Sequence, residues 1–430
     1  MSFCHKPVHP GFLMRKIKLA PLFVLLLAQL HFAFAVPQSK NDAQLSLSAQ
    51  QWQADLQYLA KELPRRHKNA FHTVSREQFE KSVADLNARI PNLQPHEIII
   101  GLMGIAASVS DAHTELAGFG SGFHRFPLNV YWFGKELRVT RIASAYKRGA
   151  GARVVQIGDV AIDEVAKRID QIVPHENDYW VRLLDASFVP LAEILHAFKI
   201  IPDLKIARWT FEDSGGKRFS LDIPSAPPDE KIDWVSASPE LPLYRQRPVE
   251  QFWFTYLPEA QTIYVNFRGY RDAFDQHADE LLSSIKEHSP RRLVIDVRQN
   301  RGGDFTKVRG RLMPGLKQNA SLRKPGALFI ITGRATQSAA VVNTIDFRKE
   351  MNAIVVGEPT GGRPNGYSED SEFKLPNSQI VVRYSTRYYK FQDQDAPAVM
   401  PDKLIEPDWQ SYKAGRDPVM EWILSQPLAK

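Results

Sequence analysis

Between residues 47 and 111 the apolar positions recur at helical spacing. Trp52, Leu56, Leu59 and Leu63 fall on one stripe, which Pro64 is expected to stop. Ser75 and Gln78 make a capping box ahead of a second stripe, Phe79, Val83 and Leu86, and Pro95 opens a third, nearly all-apolar segment through Ile98, Leu102 and Ile105. Beyond the glycine-spaced stretch Gly118 to Gly122 the texture turns β-like. Leu137 to Ile142 alternates, Gly151 to Val160 reads as strand, turn and strand, and a helix is expected from Ile162 to Ile172, with a helical insertion around Asp178 to Ile200. Pro224 to Pro228 is the most linker-like segment.

From Thr262 onward, short runs that are apolar throughout alternate with helical patterns. The strands are Thr262–Phe267, Leu293–Val297, Ala327–Thr332 and Ala353–Gly357; the helices fall at Asp272–His288, near Lys307–Leu316, and at Ala339–Glu350. Strands apolar on both faces, separated by helices, imply a parallel or mixed sheet covered on both sides. Gln379 to Tyr384, after the turn-like Pro376-Asn-Ser378, reads as a hairpin arm, and no 20–50-residue repeat is evident. The fold class expected is therefore α/β and multidomain.

The N-terminus changes the reading of the charge. Arg15, Lys16 and Lys18 precede an apolar run that ends in Ala33-Phe34-Ala35, the pattern of a secretory signal peptide over residues 1–35, with Met14 an alternative start. Of the 55 Lys and Arg residues, four lie in that leader, so against 48 Asp and Glu the formal charge of +7 falls to +3. A basic nucleic-acid binder is thereby disfavoured, as no basic, aromatic-interleaved patch is present either. The one cysteine, Cys4, also lies in the leader, so the mature chain has no disulfide, Cys-ligated metal or thiol nucleophile. A periplasmic or secreted protein, touching the membrane only through its leader, is expected.

Stock motifs for metal hydrolysis, nucleotide binding and the common esterase plan are absent. Two loops at the C-terminal ends of buried strands carry the candidate chemistry. Asp296-Val-Arg-Gln-Asn300-Arg-Gly302-Gly303 pairs two glycines whose backbone N–H groups suit an oxyanion site, and Thr332 to Ala340 places Ser338 at the first turn of a helix. Taken singly, Gly-Gly also fits a plain turn and Ser338 an N-cap.

Together these stretches resemble a known family. Leu293 to Gly303, Thr336-Gln-Ser338-Ala-Ala340 and Val356-Gly-Glu-Pro-Thr-Gly-Gly362 are similar to the core motifs of S41 serine peptidases, the C-terminal processing proteases and their tricorn-like relatives; Ser110-Asp-Ala-His113-Thr is similar to the family's D-x-H-T element. The resemblance implies a crotonase/ClpP-like ββα catalytic domain at 226–430, a helical N-terminal domain at 36–122 and a small PDZ-like domain at 123–225. It implies peptide or protein substrates, no cofactor and no metal. One departure matters: Arg363 stands where the C-terminal processing branch has its lysine base, and a guanidinium stays charged near neutral pH. The tricorn-like branch instead implies His113 as general base and Asp395 as the orienting carboxylate, with Asp393 the neighbouring alternative. On this reading Ser338 is the nucleophile, Gly302 or Gly303 with Ala339 forms the oxyanion hole, and Arg363 and Ser110 contact substrate. The competing reading is a non-catalytic binding protein on the same scaffold.

Overall fold

Three helices open the described part of the chain: α1 (Ala49–Arg66), α2 (Arg76–Arg89) and α3 (Pro95–Ala107). The computed structural model describes residues 47–118, 122–271 and 273–429. The expected leader, with Cys4, and part of the glycine-spaced stretch fall outside the described residues. Ser48 and Ser75 both complete capping boxes, with Gln51 and Gln78 respectively. Pro64 does not stop α1. It removes one donor in the last turn, while the His67 N–H still reaches the Leu63 carbonyl, and the helix ends only where His67 turns extended. Among the described residues no helix is long and apolar enough to cross a membrane.

β1 (Glu115–Ala117) leads into an antiparallel sheet ordered β2 (Leu128–Phe133), β3 (Glu136–Ala143), β4 (Arg153–Ile157), β6 (Ile206–Glu212) and β7 (Arg218–Pro224); β5 (Val160–Ala161) pairs with β4, and β8 (Trp234–Ser236) with β3. Between β5 and β6 come α4 (Ile162–Asp170), at the helix expected over Ile162 to Ile172, and α5 (Asp178–Phe188) and α6 (Ala192–Ala197), within the helical insertion expected around Asp178 to Ile200. Asn177 caps α5 by accepting from the Trp180 N–H, which fixes the short connection that precedes it. The linker-like segment is pinned rather than loose: Ala226 exchanges backbone hydrogen bonds with Arg125, and Ser225 donates to the Lys205 carbonyl.

The large sheet follows the order β16 (Lys403–Leu404), β13 (Ile354–Gly357), β12 (Leu328–Thr332), β11 (Arg292–Asp296), β10 (Thr262–Phe267) and β9 (Phe252–Leu257); only β9 is antiparallel to its neighbour. Its apolar runs divide by the two-residue period of a strand. Ile263, Val265, Leu293, Ile295, Leu328 and Ile330 pack on α7 (Phe274–His288) and α8 (Ala339–Met351). Tyr264, Val294, Phe329, Ile331 and Val356 pack on Val419, Met420 and Ile423 of the C-terminal helix Pro418–Ser425. Both faces are covered, which is why the strands read as continuous apolar segments.

A hairpin of β14 (Asn365–Lys374) and β15 (Val381–Lys390) joins β1 in a three-stranded sheet ordered β1–β15–β14. Its Phe373, Val382 and Tyr384 belong to the same core as Trp52 and Leu56 of α1 and Trp132 and Trp209 of the middle sheet. The boundary expected at 122/123 is therefore crossed by one continuous core. Wholly buried Asp55 fastens the hairpin turn to α1, accepting from the backbone N–H groups of Asn377 (2.8 Å) and Ser378 (2.7 Å) and from the Asn377 side chain. Asp55→Ala would strand those donors, and we expect a loss of about 3 kcal/mol, read as a lower urea midpoint; Asp55→Asn, which keeps one acceptor, should recover part of it.

Candidate active site

Ser338 sits between β12 and α8 with φ 54° and ψ −124°, a conformation that a residue with a side chain adopts only under strain. Its hydroxyl makes no cap to α8, so the plain N-cap reading fails. Two interlocking loops hold it. Thr336 donates its hydroxyl to the Val297 carbonyl, and its own carbonyl accepts from Gly361 and Gly362, while the Gln337 N–H reaches the Asn300 carbonyl. The loops after β11, β12 and β13 thus form one platform at the C-terminal end of the sheet.

The glycine pair has two different tasks. Gly302, at φ 104°, lies so close to the serine that a β-carbon there would come within 2.6 Å of Ser338 Cβ. Its N–H donates to Asn300 Oδ1 at 2.9 Å, so the expectation that it serves as an oxyanion donor is corrected: its role is steric. Gly303 and Ala339 both border the cavity beside Ser338, and neither N–H has a partner among the described residues.

His113 lies in the loop between α3 and β1, its Nε2 3.2 Å from Ser338 Oγ. The chemistry of its loop explains the D-x-H-T spacing. Asp111 Oδ1 accepts the His113 backbone N–H at 2.9 Å, and Oδ2 accepts the Thr114 hydroxyl at 2.7 Å, a closed turn that aims the imidazole. His67, at the end of α1, completes the set with Nε2 3.0 Å from Asp111 Oδ2. The Asn69 N–H bonds His67 Nδ1, which assigns the His67 proton to Nε2 and leaves that ring neutral. Asp111 therefore keeps its charge for His113.

The orienting carboxylate is not the one expected. Asp395 is largely exposed and held by the Arg363 guanidinium at 2.6 Å, and Asp393 is exposed. The segment carrying both is drawn to Arg363 rather than to the imidazole. The carboxylates within 4 Å of His113 Nδ1 among the described residues are Asp111 at 3.6 Å and Glu176 at 4.0 Å. Glu176 comes from the connection between α4 and α5, and its other oxygen accepts the Arg363 backbone N–H at 2.9 Å. Among the described residues, buried His113 Nδ1 has no hydrogen-bond partner within 3.5 Å, so both acids act on it by charge.

Burial disfavours the imidazolium, but the adjacent Asp111 carboxylate, reinforced by Glu176, outweighs it and raises His113 to about 9. Burial pushes the Glu176 carboxyl up to about 7 against the pull of His113. Asp111 is also buried, yet its contacts with His113 and His67 hold it well below the ordinary carboxylate range. The three groups bring donor atoms within 4.8 Å of one another, a spacing a metal could use. Asp111 already accepts from three protein groups, however, and the set matches a charged imidazole better than a metal centre.

The cavity holding Ser338 has a volume of ≈ 150 Å³, and its apolar lining includes Phe305, Val342, Tyr389 and Phe391. Arg363 borders it; Ser110 does not, and instead lies in the turn beyond α3 with a left-handed backbone (φ 59°). The expectation that Ser110 contacts substrate is thus corrected. Sequence reasoning missed Glu176 and His67, which carry no motif, and left Asp111 unassigned although it stands inside the D-x-H-T element.

No family model and no curated protein matches the sequence. Among solved structures, mature CPAF complexed with lactacystin aligns with a TM-score of 0.63 at 10% identity, over 87% of this chain and 97% of that one. Mature CPAF alone aligns with a TM-score of 0.59 at 10% identity, over 87% and 96%. Photosystem II D1 C-terminal processing protease aligns at 15% identity with a TM-score of 0.41, over 86% and 98%. The chain has the α/β fold of mature CPAF.

Gly302→Ala tests the glycine argument directly. Its methyl must displace the Ser338 side chain, so reaction of that serine with a fluorophosphonate should fall at least about tenfold, one decade being 1.4 kcal/mol of barrier, while circular dichroism stays unchanged.

Proposed function

We propose that this chain is an exported serine peptidase that cleaves peptide bonds through an acyl-enzyme. The observation that carries the reading is the approach of His113 Nε2 to within 3.2 Å of Ser338 Oγ, from a residue far away in sequence. The strained serine, the two unengaged N–H groups beside it and the pair of acids behind the imidazole support the same reading. The CPAF-like fold supports it at the level of architecture, and the leader-like N-terminus supports export.

In this mechanism Ser338 Oγ attacks the scissile carbonyl carbon as its proton passes to His113 Nε2. The carbonyl oxygen takes the negative charge and is met by the N–H groups of Gly303 and Ala339, each donor worth about 3 kcal/mol. Asp111 and Glu176 stabilise the imidazolium, which then protonates the leaving amine as the C–N bond breaks. Water, giving its proton to the neutral imidazole, attacks the acyl-enzyme and releases the acid, and the serine recovers its proton. Arg363 takes no proton in this scheme: its backbone steadies Glu176 and its guanidinium is bound to Asp395.

Fluorophosphonate labelling with mass-spectrometric mapping tests the assignment, with modification expected at Ser338. Ser338→Ala and His113→Ala should each cut kcat by roughly 10⁴-fold or more and, combined, cost little beyond either alone, since the members of such a unit are not additive. Turnover unaffected by His113→Ala, or a label elsewhere, would refute the scheme. Asp395→Asn should keep most of the activity.

The proposed acid–base pair implies a pH profile. Only neutral imidazole accepts the serine proton, and the neighbouring carboxylates hold His113 up to about 9. The kcat/KM profile should therefore rise with pH along a limb above the ordinary imidazole value of ~6.5. Glu176→Gln removes one stabilising charge 4.0 Å from Nδ1 and should move that limb to lower pH by at least about half a unit. An unmoved limb would exclude Glu176 from the acid–base unit.

A further inference from the structure

β14 is an edge strand. Among the described residues it has a partner on one side only in the sheet β1–β15–β14, and five consecutive residues, Gly366 to Asp370, border the cavity that holds Ser338. Strand side chains alternate between two faces, so an unbroken run of five borders a single cavity through the strand's edge rather than through either face. An unpaired edge offers its backbone N–H and C=O groups to another extended chain.

The edge is also acidic. Glu369 and Asp370 are exposed there, and Glu176 borders the same cavity. Glu369 has a left-handed backbone (φ 59°) in mid-strand, although the pairing on either side, Ser368 with Arg387 and Asp370 with Ser385, keeps one register. The nearby cations are largely engaged: Arg363 with Asp395, Arg383 with Glu115 at 3.3 Å and more distantly with Asp370 itself at 4.0 Å, and Arg387 with the Tyr389 hydroxyl, which itself donates to Glu369. Acidic residues protect many exposed edges from unwanted pairing. This edge differs in opening onto the reactive serine, where its charge favours a chain bearing the opposite sign.

We propose that β14 receives the substrate as an added strand and that Glu369 and Asp370 select for a lysine or arginine near the scissile bond. The proposal rests on the peptidase reading of Ser338 only for the word substrate; pairing and charge selection can be measured without turnover. The full chain carrying Ser338→Ala is titrated with fluorescent ten-residue peptides identical except for Lys, Gln or Glu at each position in turn, and binding is followed by anisotropy. At one or two positions the Lys peptide should bind about tenfold tighter than the Glu peptide at low salt, and the ratio should approach one at 1 M salt. Adding Glu369→Gln with Asp370→Asn should abolish the ratio.

N-methylation of successive peptide amides should weaken binding at alternate positions, the signature of strand pairing. Binding indifferent to charge, or weakened evenly by methylation at every amide, would overturn the proposal. Failure of the native chain to label with fluorophosphonate, alongside charge-selective and alternating binding, would retire the peptidase reading and leave the edge as a peptide-binding site. Labelling at Ser338 with charge-blind binding would do the reverse.

Discussion

A single buried carboxylate holds the site in register. Asp111 gathers the end of α1 through His67, its own loop through the His113 N–H, and the entry to β1 through the Thr114 hydroxyl. The Lys68 N–H, next to His67, bonds the Ser385 carbonyl of β15, so the hairpin beside the cavity is tied to the same point. A buried acid without those donors would be costly to ionise. With them it stays charged, and that charge helps make the neighbouring imidazole a strong base.

Around that anchor the chain assembles the site from parts with separate physical origins. The large sheet supplies the serine and its amides, because loops at the C-terminal end of parallel strands converge there. The helical unit supplies the imidazole, and the connection between α4 and α5 supplies Glu176. Gly302 lets the serine approach its neighbouring loop; Asn300 occupies the Gly302 N–H and leaves that of Gly303 to the cavity.

Much of this architecture was legible in the sequence, for a definite reason. β10 to β13 are buried on both faces and appear as unbroken apolar runs, and α1 and α2 announce themselves through stripes and capping boxes. Ser338 and His113 were legible through motif context, and the distance between their side chains agrees with that pairing. β14 was not legible: in Asn-Gly-Tyr-Ser-Glu-Asp-Ser-Glu-Phe-Lys only Asn365 and Phe373 are buried, so its strand conformation comes from pairing with β15 rather than from any pattern of its own. Asp395 was placed by analogy of position, whereas the side chain's partner is decided by the guanidinium of Arg363. Glu176 and His67 stand in segments without periodicity or motif, and their roles exist only once distant elements have packed.

Because Glu176 arrives from the connection between α4 and α5, the reactive centre is finished by a part of the chain that holds neither the hydroxyl nor the imidazole. A chain in which the α4–α5 connection has not docked lacks one of the two carboxylates beside the imidazole. On the peptidase reading proposed above, the hydroxyl reaches its full reactivity only once that connection is seated.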